Sequence, residues 1–63
     1  MKLVQIVTSD GHLIAFNPAL VSKVSVSQAD ATKTLIYLHE TFGLTTNDSI
    51  SVVISQIDEA LKS

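Results

Sequence analysis

The chain has 63 residues, of which 46% are apolar and 16% charged, a formal net charge of −2 and no cysteine. Chains divide into several domains only beyond roughly 250 residues, so a single domain over 1–63 is expected and a multidomain enzyme is excluded. The absence of cysteine also excludes a disulfide framework and thiolate metal sites.

A mean hydropathy of +0.39 argues against disorder. Lys2, Lys23, Lys33 and Lys62 are scattered among Asp10, Asp30, Glu40, Asp48, Asp58 and Glu59, and there is no arginine, so no basic patch of the kind that neutralises phosphates emerges. The opening, Met1 to Thr8, turns polar too soon for a signal core or a spanning helix, which needs about 20 apolar residues. A cytoplasmic protein without membrane contact is the resulting expectation.

In chain order, Leu3 to Thr8 is apolar and β-branched, and Asp10-Gly11 supplies the positive φ angle a tight hairpin demands. The second strand, His12 to Phe16, stops at Asn17-Pro18, because proline lacks a ladder donor and disfavours helical angles in the residue before it. Asn17 to Leu20 then forms a turn or one short helical turn. From Val21, Val24 and Val26 alternate with Lys23, Ser25 and Ser27 at the period of two of a half-buried strand, with the valines inward.

Gln28 to Ala31 reads as a loose polar connection, and Thr32 to His39 as a fourth strand centred on Leu35 to Leu38. Phe42 to Thr46 is a short fifth strand interrupted by Gly43. The period then changes. Ile50, Val53, Ile54, Ile57 and Leu61 recur at helical spacing, which predicts an amphipathic helix burying those five, started by Asn47, Asp48 or Ser49. The fold expected is α+β: an antiparallel β-meander of four to five strands followed by one C-terminal α-helix packed on one sheet face.

A sheet covered on one side should alternate strictly, yet three strands are apolar on both parities. Val4 and Ile6 oppose Leu3 and Val7; Ile14 and Phe16 oppose Leu13 and Ala15; Ile36 and Leu38 oppose Leu35 and Tyr37. One helix of about three turns covers one of those faces, leaving the other for a second copy or a larger protein partner. Size points the same way, since a domain near 60 residues buries only about 60% of the surface of its unfolded chain and gains from association. The expected interface residues are Leu13, Ala15, Leu35 and Tyr37.

Chemistry has little to stand on. His12 and His39 are the side chains that titrate near neutrality, but each ends a strand and neither has a partner at helical ligand spacing. No nucleophile elbow accompanies the serines and threonines, and Gly11 and Gly43 build no phosphate-cradling loop. No catalytic residue, cofactor or metal ligand is assigned, so the protein is expected not to be an enzyme. A metal-dependent activity built on His12 and His39 across subunits is the least favoured class.

The order Asp10-Gly11, Asn17-Pro18-Ala19-Leu20-Val21, Thr34-Leu35-Ile36-Tyr37-Leu38 and Asp48-Ser49-Ile50-Ser51-Val52-Val53-Ile54 resembles the small flagellar FlbD-like proteins. Their pattern is a turn glycine before an Asn-Pro-x-Leu-Ile step, a Thr-x-Ile-x-Leu strand and a Glu-Ser-x-x-x-Val-Ile helix opening. The same outline occurs in small phage and bacterial proteins. The chain departs from the pattern at His39 to Gly43, where a Gly-Lys hairpin is usual, and at Ser51 and Val52. The resemblance implies a small accessory or regulatory protein and carries over no catalytic residue.

The ending Ile54 to Leu61 also looks like the single-stranded-DNA-binding transcriptional coactivators, which dimerise through a C-terminal helix. Two functions are therefore expected in order: a non-enzymatic protein-interaction or accessory module acting as a homo-oligomer or subunit of a larger assembly, then a single-stranded nucleic-acid-binding dimer using Lys23, Lys33, Tyr37 and Phe42.

Overall fold

The computed structural model describes residues 1–38 and 43–63. They form β1 (Val4–Val7), β2 (Leu13–Phe16), a single 3-10 turn (Pro18–Leu20), β3 (Lys23–Val26), β4 (Thr34–Tyr37), β5 (Gly43–Thr46) and α1 (Ile50–Lys62). The α+β class, the antiparallel strands and the C-terminal helix are as expected. His39 and Phe42 lie outside the described residues.

The turn chemistry acts where it was read. Gly11 adopts φ +90°, the left-handed region that side chains with a Cβ avoid, while Thr8 N donates to His12 O at 2.8 Å. The resulting hairpin pairs Val4 with Phe16, Gln5 with Ala15, Ile6 with Ile14 and Val7 with Leu13. At its end Asn17 Oδ1 accepts from Ala19 N at 2.9 Å, and Pro18 begins the 3-10 turn with no amide hydrogen to lose.

The connection from β3 to β4 is tighter than expected. Asp30 accepts from Thr32 N at 3.0 Å and Thr32 Oγ1 at 2.6 Å, and its carbonyl accepts from Lys33 N at 3.0 Å. An aspartate folded over the backbone two residues on makes a turn of what its composition marks only as polar.

The meander does not form one continuous sheet. β1 and β2 make a two-stranded sheet and β3, β4 and β5 a three-stranded one, both antiparallel. Among the described residues one bridge, Thr8 to Thr46, links the two, reinforced by Ser9 N donating to Thr45 O at 2.8 Å. Proline ends the pairing after β2, so the chain crosses to β3 through the 3-10 turn instead of a hairpin.

Inside lie Val4 and Ile6 of β1, Phe16 of β2, Ile36 of β4, Leu44 of β5 and Val53 and Ala60 of α1. Helix α1 packs against β1, β3 and the 3-10 turn. Ser49 caps it, its side chain accepting from Val52 N at 3.4 Å.

Two expectations about inward faces are corrected. Ile54 and Leu61 are 52% and 48% exposed, whereas Ala60 is buried and Ile50 and Ile57 are half-buried. The apolar stripe is therefore centred on Val53 and Ala60, and the bulkier Ile54 and Leu61 fall on its flank. Ala60 sits where the segment just before β1 meets the helix, Lys2 N donating to Ala60 O at 3.1 Å, an approach that favours a small side chain. Val24 is half-buried as expected, but Val26, at the end of the free edge strand, is exposed.

A polar seam joins the two sheets beneath this core. Thr8, Thr34 and Thr46 are buried, and each hydroxyl has a partner. Thr46 Oγ1 donates to Val7 O at 3.1 Å and accepts from Asp48 N at 3.4 Å; Thr34 Oγ1 donates to Asp48 O at 2.8 Å. The seam thereby ties β1, β4, β5 and the approach to α1 together.

Candidate interaction surface

Strand alternation sends one row of each strand into the core and the other out. On the hairpin the outward row holds the directly opposed pairs Val7 with Leu13 and Gln5 with Ala15. Leu13 is 70% exposed, Val7 54%, and Leu3, one step before β1, 62%. Ala15 is exposed as well. This outward row carries no charge, and its apolar members belong to both strands.

The outward row of the three-stranded sheet is different. Lys23, Tyr37 and Gly43 lie across it in register, followed by Ser25, Leu35 and Thr45. Lys23 Nζ stands 4.7 Å from the centre of the Tyr37 ring. On the other side the ring lies against Gly43, where an added Cβ would come within 3.3 Å of Tyr37 Cε2. Tyr37 and Leu35 are half-buried, flanking a hollow of about 550 Å³ that also touches Ser25, Ser27 and Gln28. The four residues expected at an interface thus divide into an exposed pair, Leu13 and Ala15, and a half-covered pair, Leu35 and Tyr37, on two different sheets.

The hairpin turn gathers the other polar side chains of note. Asp10 accepts from the Thr8 hydroxyl and lies 3.1 Å from His12 Nδ1, contacts that hold its carboxyl below the usual aspartate range, Thr8 first and His12 second. The carboxylate thus engages the hydroxyl through Oδ1 and the imidazole through Oδ2. Thr8 is also committed to the backbone of His12, at 3.2 Å both to its carbonyl and from its amide. Among the described residues no three His, Asp, Glu or Cys side chains converge as metal ligands, and no helix is long and apolar enough to cross a membrane.

Leu3 and Val7 were not singled out as interface residues beforehand. Their signal was nonetheless present, because a hairpin turning at Asp10-Gly11 places them on the same face as Leu13 and Ala15.

These features define a small α+β domain of two antiparallel sheets and one helix, with an uncharged apolar face on its N-terminal hairpin. Compared with protein-family models, curated proteins and solved structures, the chain finds no match.

Proposed function

We propose that the chain is a non-enzymatic interaction module that works as a homo-oligomer or as a subunit of a larger assembly, in keeping with the accessory role implied by its FlbD-like resemblance. The observation that carries this reading is the exposure of Leu3, Val7 and Leu13 on one uncharged hairpin face, with Ala15 between them. Isolated surface apolar side chains need no explanation, but neighbours on paired strands form a patch of the sort that protein contacts cover. A cytoplasmic setting, where a chain without cysteine lacks nothing, belongs to the same proposal.

Association should raise stability by mass action. The unfolding midpoint is expected to climb with protein concentration, with sedimentation giving more than the monomer mass at high micromolar concentration. A compact monomer whose midpoint is the same at every concentration contradicts the proposal.

A second reading, single-stranded nucleic-acid binding, rests on the Lys23 and Tyr37 stack, with Lys33 two residues before Leu35 on β4's side of the sheet. Phe42, its fourth residue, lies outside the described residues. Binding of this kind weakens steeply with salt, so an oligonucleotide that fails to bind even at low ionic strength removes it.

A further inference from the structure

We propose that the free edge of β3, with the hollow beside it, takes an extended acidic segment of another protein as an added strand. This rests on the interaction reading above, in its form as a subunit of a larger assembly, and names a partner chemistry and a surface apart from the hairpin.

Backbone hydrogen bonding points to a strand. β3 is an outer strand of the three-stranded sheet. Ser27 N donates to Lys33 O at 3.0 Å, so by the alternation of an antiparallel ladder the backbone groups of Lys23, Ser25 and Ser27 face β4, and those of Val24 and Val26 face away. Among the described residues no other backbone group of the chain reaches those of Val24 and Val26. Donors and acceptors left open at strand spacing are what an extended backbone satisfies, whatever its sequence.

The hollow supplies room. About 550 Å³ in volume, it is bordered on β3 by Ser25 and Ser27 of the outward row and by Val26 of the inward one, so it follows the edge as well as the face. Leu35 and the Tyr37 ring border it on β4. A strand laid on the edge has side chains opposite Lys23, Ser25 and Ser27 on this face, and the middle one, beside Leu35, suits an apolar residue.

Charge decides the kind of segment. Lys23 is exposed, Lys33 lies on the same face opposite Ser27, and among the described residues no carboxylate borders the hollow. Asp30, at the neighbouring turn, is bound to Thr32. A lysine on an edge deters neutral and basic strands, whereas an acidic neighbour makes the same lysine half of a cross-strand ion pair. A second copy cannot supply that neighbour from its sheets, since none of the five strands contains an acidic residue. Nucleic acid has the charge but not the alternating amide donors and carbonyl acceptors that the edge calls for.

The test uses the full chain and the blocked peptide Thr-Glu-Thr-Leu-Thr-Glu-Thr, whose symmetry lets it pair in either direction. Tyr37 is the one tyrosine in a chain without tryptophan, so its fluorescence reports binding at this site. The peptide should bind, and should slow hydrogen exchange of the Val24 and Val26 amides while leaving that of Gln5 unchanged. A peptide with lysine in place of both glutamates should bind at least about fivefold more weakly, and Lys23→Glu should reverse that order. The comparison of the two peptides on the wild type needs no variant. An acidic peptide that does not bind at millimolar concentration, binds no better than the basic one, or leaves the Val24 and Val26 amides unprotected would overturn the inference. So would an oligothymidylate that binds this face at low salt where the acidic peptide does not, which would favour the nucleic-acid reading. Failure here leaves the interaction reading standing, because association through the hairpin is measured separately by sedimentation.

Discussion

Replacing Thr46 by valine isolates the polar seam from the packing around it. The two side chains have nearly the same volume, so no cavity opens, but the hydroxyl that donates to Val7 O and accepts from Asp48 N is lost. Thr46 is 1% exposed, and water cannot readily replace it. A buried polar group left without its partner costs about 1–3 kcal/mol. Val7 O is the group at risk; the Asp48 contact is long and on an exposed residue, so it adds little. The expected loss is about 2 kcal/mol.

A 63-residue chain at roughly 0.05–0.15 kcal/mol per residue has about 3–9 kcal/mol in total. The substitution should therefore lower the melting temperature by about 10 °C. Urea titration at fixed protein concentration, followed by circular dichroism, measures it, and the slope should not change because the surface exposed on unfolding is the same. Thr45→Val, on the opposite face of β5, is the control and should be near neutral. A Thr46→Val protein within about 0.5 kcal/mol of wild type would refute the view that this hydroxyl holds the two sheets together.

Other consequences can be measured in the same way. Gly11→Ala should cost about 1 kcal/mol although its Cβ meets no atom within 4 Å, because the penalty comes from φ +90°; Gly11→Asn, which tolerates that region better, should cost less in the same titration. In the helix, Val53→Ala should destabilise by about 2 kcal/mol, while Ile54→Ser changes monomer stability by under about 0.5 kcal/mol; equal losses in denaturation would mean the stripe is centred elsewhere. Asp10 should titrate below the ordinary 3.8 by nuclear magnetic resonance, and Thr8→Val should move it back further than His12→Ala. Since its folded pKa is depressed, its contribution is complete above the unfolded value and is lost as pH falls through the lower folded one, so the hairpin should loosen only in acid below about 4.

Local signals were the most legible. Asp10-Gly11 and Asn17-Pro18 act through backbone angles that depend on little beyond their neighbours, and the strands they delimit follow. Alternation put Leu13 and Ala15 outward because a strand has only two sides. The inward threonines were harder to see. Thr34 and Thr46 share parity with Ile36 and Leu44, so the period of two places them inside, but residue type argues for the surface unless the carbonyls of Val7 and Asp48 are known to be within reach. Ala60 was missed for the opposite reason: a small side chain contributes little to an apolar pattern, yet it fits where the segment just before β1 meets the helix. The division into two sheets depends on how the chain crosses after Pro18, a tertiary property that composition does not encode. Of the candidate surface, the side on which each residue lies was readable, but the partial cover of Tyr37 by Lys23 and Gly43 arises from cross-strand register and needed the fold.

The central claim is the proposal that the outward face of the hairpin, exposed at Leu3, Val7 and Leu13, is a surface through which the chain associates. Methyl resonances of Val7 and Leu13 followed during dilution from high to low micromolar concentration address this directly. They should shift together along one binding curve while those of Ile36 and Val53 stay in place. Val7 and Leu13 signals that do not move, in a chain that remains folded throughout, would contradict it.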